Sequence, residues 1–165
     1  MRVTHSTEDE FVELYDSFYR PVFRYALVAR GPDEAEDIVS ITSQKAYLAW
    51  SGRGERPRSP LAWLLTIARR TVIDAARRTT LAPAARLATG GSSDDALLRA
   101  RETWLWFESV TRGLPETTRQ ILYLRFAADL SAEEIGVVVS MSASGVRSAL
   151  SRAVSAIRLA EEDPR

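Results

Sequence analysis

Apolar residues return along this chain at three- and four-residue steps, and nowhere do they alternate cleanly enough to form a strand. Phe11, Leu14, Tyr15, Phe18 and Val22 keep that spacing near the N-terminus, and Trp104, Phe107, Val110 and Thr111 keep it in the second half. The stretch "AWLLTIARRTVIDAARR", residues 62–78, divides most sharply. On a helical wheel Leu61, Leu64, Leu65, Ala68, Val72, Ala75 and Ala76 fall on one face, which must be buried. Trp63, Thr66, Arg70, Asp74 and Arg77 fall on the opposite face. Further on, Val146, Leu150, Ala153, Val154 and Ile157 make an inward stripe, with Ser144, Arg147, Ser148, Ser151, Ser155 and Arg158 outside it. The pattern predicts an all-α chain of two small helical domains.

Three interruptions set the boundaries. In "RGPDEAED", from Arg30, Gly31 and Pro32 separate two helical patterns, and Pro32 or Asp33 is placed to open the second. "SGRGERPRSP", Ser51 to Pro60, is a Gly/Pro/Arg loop. "TTLAPAARLATGGSSDD", Thr79 to Asp95, has small residues, Pro83 and paired glycines but no strong apolar period, which marks a flexible linker. The expected organisation is a first domain over 1–79, a linker over 80–98 and a second domain over 99–165. Within the second, Ser131 and Glu134 have capping-box spacing, and Ser142 is a candidate N-cap for the helix after it. Two helices joined by so short a turn suggest a helix-turn-helix.

Charge changes this picture. The 165-residue chain is formally neutral, yet Glu8 to Asp37 carries nine acidic residues against Arg20, Arg24 and Arg30. Between Arg53 and Arg86 eight arginines face only Glu55 and Asp74, and Met141 to Leu159 holds Arg147, Arg152 and Arg158 without an acid. Two separate basic surfaces suit a polyanion, with an acidic surface left for another partner. Lys45 is the only lysine, so the positive charge is almost wholly arginine, the side chain suited to phosphate and base-edge contacts.

Enzyme chemistry finds little support. There is no cysteine, and His5 is the only histidine, which removes most metal and triad chemistry. Glu133 and Glu134 are adjacent, but helical neighbours point about 100° apart, and capping accounts for Glu134. No phosphate loop or nucleophile with a base is present, so no catalytic residue, metal, cofactor or small-molecule substrate is expected. No apolar run reaches the roughly 18 residues of a membrane span, and the N-terminus lacks a signal-peptide core. The expectation is a cytoplasmic protein without membrane insertion.

For Trp63 and its neighbouring arginines two readings stay open. An outward indole beside guanidinium groups can stack on bases while arginines hold phosphates. The other reading packs Trp63 on a neighbouring helix and leaves the arginines as a solvated face. The Arg/Ser face from Ser144 to Arg158 points more firmly to DNA, since a merely solvated face would mix in acids.

With "DEAEDIV" (33–39), "SPLAWLLTIARRTVIDAARR" (59–78), "LPETTRQILYLRF" (114–126), "LSAEEIG" (130–136) and "GVRSALSRA" (145–153) in this order and spacing, the chain resembles the extracytoplasmic-function (ECF) sigma factors of the sigma-seventy family over nearly its whole length. The resemblance implies a transcription initiation factor in which region 2 binds the clamp of core RNA polymerase through the helix bearing Asp33, Glu36, Asp37, Gln44 and Lys45. Arg56 and Arg58 of the loop, with Trp63, Thr66, Arg70, Arg77 and Arg78, would recognise and melt the downstream promoter element. Region 4 would lay Ser144, Arg147, Ser148, Ser151 and Arg152 into the major groove of the upstream element, and an anti-sigma factor would be a further partner.

The chain departs from the family pattern at Ser40, Ile41, Thr42 and Ser43, where Gln, an acid, a small or β-branched residue and Phe are usual. It departs again at Ser140, a usual glycine, and at Gly145 and Ala149 in the recognition helix. These mark a divergent member. A helix-turn-helix regulator, or a sigma-like protein without productive polymerase binding, is the alternative.

Overall fold

In the computed structural model, residues 6–52, 56–81 and 94–162 are described; the centre of the expected linker, Arg53 and Arg86 lie outside them. Seven α-helices follow one another among the described residues: α1 (Thr7–Arg30), α2 (Pro32–Ser51), α3 (Pro60–Leu81), α4 (Asp94–Val110), α5 (Glu116–Phe126), α6 (Ala132–Val139) and α7 (Ala143–Glu162). Helix therefore occupies both ends of the span expected to be linker.

The helix ends follow local chemistry. α1 opens on a reciprocal capping box, with Asp9 N donating to Ser6 Oγ and Ser6 N donating to Asp9 Oδ2, both at 3.1 Å. Gly31 closes α1 and caps α2 with φ 78°, a left-handed conformation that only glycine adopts at no steric cost. The Ser131/Glu134 box opens α6 as expected, and Ser142 Oγ accepts from Gly145 N at 3.1 Å at the start of α7.

α1, α2 and α3 pack together, and α5, α6 and α7 form the helix-turn-helix half. The predicted inner face of α3 is largely confirmed. Leu64, Leu65, Ala68 and Val72 are buried, joined by Ala62 and Thr71, while Leu61, Ala75 and Ala76 lie at the margin. In α7, Val146, Ala149 and Ala153 are buried, and Leu150, Val154 and Ile157 are half-buried.

The halves do not stand apart. α5 packs on α1 and α6 on α3, so one apolar cluster runs from Phe11 to Ala149. Polar ties cross the same seam. Tyr25 of α1, fully buried, donates to Gln120 Oε1 of α5 at 2.9 Å, and Tyr123 of α5 donates to the Pro21 carbonyl of α1 at 2.8 Å. Burial raises the pKa of both phenols.

Candidate nucleic-acid and polymerase interfaces

α7 presents its chemistry in solvent. Ser144, Arg147, Ser148, Ser151 and Arg152 are all exposed, on the side opposite Val146 and Ala153. Arg147 Nη1 lies 3.0 Å from Glu133 Oε1 on α6, and the Ser142 and Ser144 hydroxyls are 3.3 Å apart. A hydrogen bond to its own backbone amide and the Arg147 guanidinium hold the Glu133 carboxyl below its ordinary range. Both side chains of this pair are exposed and screened by solvent, so Arg147 can exchange it for a phosphate or base edge.

The turn before α7 is closely packed. A Cβ on Gly136 would lie 2.5 Å from the Met141 carbonyl oxygen, so α6 and the turn can approach only because that residue is glycine. Gly145 occupies the first turn of α7, where its amide is taken by the cap. Ala149 is 6% exposed and belongs to the core. Its side chain points away from the Arg/Ser face.

On α3 the outward residues are not alike. Arg70, Arg77 and Arg78 are exposed, as is Arg58 in the preceding loop. Trp63 and Thr66 are half-buried, and Trp63 packs at 48° to Trp50 with ring centroids 5.8 Å apart. The Thr66 hydroxyl donates to the Ala62 carbonyl at 2.7 Å. Arg56 is held within its own half: its guanidinium stands 4.0 Å over the Trp50 ring, donates to the Trp50 carbonyl and pairs with Glu10 at 2.7 Å. It braces the loop against α1 and α2.

On α2, Asp33 and Asp37 are exposed and Glu36 half-buried, with exposed Gln44 continuing their face at helical steps. Lys45 turns toward α3, where Nζ pairs with Asp74 Oδ2 at 3.0 Å, and that bond draws the Asp74 carboxyl below its usual range. The structure adds exposed Ser40 and Leu48 to the same face, both on the three- and four-residue steps that join Asp33, Asp37 and Gln44. Of the four divergent residues, Ser40 is exposed on this face and Ile41 is half-buried on the same three- and four-residue steps. Thr42 is fully buried with its hydroxyl on the Ile38 carbonyl at 2.6 Å. Ser43 is half-buried beside Tyr15, whose hydroxyl donates to the Val39 carbonyl and whose pKa burial pushes up to about 12.

Fold and surfaces define an all-helical, two-part protein with a helix-turn-helix in its second half. Residues 14–81 match Sigma-70 region 2 and residues 105–157 match Sigma-70 region 4. The chain belongs to the sigma-70 family, and within it to the ECF RNA polymerase sigma factors. It is 28% identical over 151 residues to the ECF RNA polymerase sigma factor SigL of Mycobacterium tuberculosis, covering 88% of this chain and 85% of that one. It is 41% identical over 73 residues to the ECF RNA polymerase sigma factor ShbA of Streptomyces griseus, where the match spans 44% of this chain and 37% of the relative. The same fold occurs in the sigma factor RpoE of Bartonella quintana, solved in complex with the anti-sigma factor NepR. That likeness has a TM-score of 0.71 at 21% identity and covers 94% of this chain and 99% of that one.

No helix among the described residues is long and apolar enough to cross a membrane.

Proposed function

We propose that this chain binds core RNA polymerase and directs it to promoters as a non-catalytic cytoplasmic initiation factor, with residues 1–79 and 99–165 as its working domains on either side of a linker. The observation that carries this reading is the presence of both sigma-70 regions in family order on one chain, which a helix-turn-helix regulator alone would not need. The polymerase face is α2, through Asp33, Glu36, Asp37 and Gln44, with Lys45 at its edge and Ser40 and Leu48 extending it. Arg58, Trp63, Thr66, Arg70, Arg77 and Arg78 hold the unpaired downstream strand while Arg56 fixes the loop. Ser144, Arg147, Ser148, Ser151 and Arg152 read the upstream element in the major groove. An anti-sigma factor is the natural regulator, as in the RpoE–NepR complex.

Duplex opening without nucleotide hydrolysis requires capture of unstacked bases, at about 1–3 kcal/mol per stacking contact, against a few kcal/mol for each base unpaired. Several contacts must therefore act together, with polymerase supplying the remainder.

The test is recovery of the chain on immobilised core polymerase at low salt. Asp37→Arg reverses an exposed charge without touching the core, so its melting curve should match wild type while its affinity for core falls about tenfold, equivalent to ~1.4 kcal/mol. Equal recovery of both proteins would remove α2 as the polymerase face.

A further inference from the structure

Two adjacent carboxylates stand in the first turn of α6, and they are engaged differently. Glu134 belongs to the fold: its Oε1 accepts from Ser59 Oγ, just before α3, at 2.6 Å, and its Oε2 accepts from Ser131 N at 2.9 Å in the capping box. Glu133 reaches the recognition helix instead, where its Oε1 accepts from Arg147 Nη1 at 3.0 Å. The stretch from Ser144 to Arg158 contains no acid of its own, so the carboxylate beside Arg147 is supplied by another helix.

Both side chains of this pair are exposed, and such pairs add little to stability. Its place in the helix-turn-helix matters more than its strength. The positive end of α6 favours the Glu133 charge, and the carboxylate also accepts from its own backbone amide. It is therefore an anchored acceptor for a long, rotamer-rich side chain. A guanidinium carries five N–H donors in a rigid plane. With Nη1 on Glu133, the Nε and Nη2 edge remains, and that edge matches the O6 and N7 acceptors of guanine. A phosphate in the same place would bring a second negative charge against the carboxylate. Phosphate contacts fix register without carrying sequence, whereas base edges carry it.

We propose that Glu133 is a positioning residue for promoter recognition: it holds Arg147 by Nη1 so that the Nε–Nη2 edge meets a guanine in the major groove, and its charge keeps the same guanidinium off the phosphate backbone. This rests on the reading of α7 as the major-groove helix. Glu133 touches no base itself. It raises specificity while lowering nonspecific affinity.

Glu133→Ala leaves the Ser131–Glu134 capping box in place, so its melting curve should match wild type. Holoenzyme assembled from core polymerase and the full-length chain is used to select duplexes from a randomised pool, with wild type, Glu133→Ala and Arg147→Ala in parallel. Wild type should show a guanine preference that Arg147→Ala abolishes. Glu133→Ala should weaken the preference at that same position about tenfold, the scale of one bidentate base contact, and leave the other positions unchanged. The isolated full-length Glu133→Ala chain should also bind a mixed-sequence duplex about threefold more tightly at low salt, with a salt dependence steeper by about one phosphate contact. A purely structural role for Glu133 would move neither readout. Full preference at the Arg147-dependent position in Glu133→Ala would overturn the positioning role, and an unchanged salt dependence would overturn the part assigned to its charge. If Arg147→Ala instead leaves every selected position unaltered, base reading by Arg147 fails, and the role of Glu133 fails with it.

Discussion

Ser140 and Gly136 show how much one Cβ decides in the turn before α7. Ser140 caps α6 at φ 58°, ψ 47°, where an L side chain costs about 1–2 kcal/mol. Glycine avoids that cost but loses more chain entropy on folding, so Ser140→Gly should gain a net ~0.5–1 kcal/mol, or about 1–4 °C in thermal melting for a chain of this size. Gly136→Ala should do the reverse, because its Cβ would meet a backbone oxygen that has no side-chain freedom to move. Circular-dichroism melting curves that rank these variants the other way would contradict the turn geometry. The Ser140 substitution was visible in the sequence as a departure from the family; the strain it carries was not, because a dihedral angle depends on where the flanking helices are held. Ala149 makes the complementary point. The family pattern marked it as a departure in the recognition helix, and burial shows a residue serving the core.

At the scale of elements, α6 joins local and distant chemistry. Its capping box was legible from Ser131 and Glu134, because both partners lie within one helical turn. The Ser59 bond to Glu134 was not, since nothing in a helical wheel says which helix will cover a second face. The half-burial of Trp63 was one of two open readings, and the structure packs it on Trp50 of the neighbouring α2. Ser59 first, then the Ser131 amide, holds the Glu134 carboxyl below its usual range, and Asp74 and Glu133 are lowered by Lys45 and by the α6 N-terminus with Arg147. Carboxylates depressed in the folded state contribute stability that is present at neutral pH, above their unfolded pKa, and is lost as pH falls through the folded values. Melting temperature should therefore fall between neutral pH and about pH 3, and Ser59→Ala should shrink that fall by removing the largest cause acting on Glu134. An identical pH dependence in the variant would mean that the α6–α3 tie adds nothing to stability.

At the scale of the whole molecule, helical periodicity and the breaks at Gly31, Ser51–Pro60 and Thr79–Asp95 disclosed the helices. They could not disclose that the halves share a core, because the tie from Tyr25 to Gln120 spans 95 residues. Charge distribution located two basic surfaces, and the structure distinguishes them: one is open on α7, the other lies beside α6. The account's central claim is that these surfaces act at different steps of initiation. The decisive measurement follows polymerase–promoter complexes formed with Trp63→Ala and Arg147→Ala, scoring duplex binding by mobility shift and strand opening by reactivity of unpaired thymines. Trp63→Ala should reduce opening about tenfold, the scale of one lost base stack, while duplex binding persists. Arg147→Ala should weaken duplex binding by ~1–3 kcal/mol and leave opening per bound complex unchanged. Equal weakening of the same step by both substitutions would contradict the division of labour.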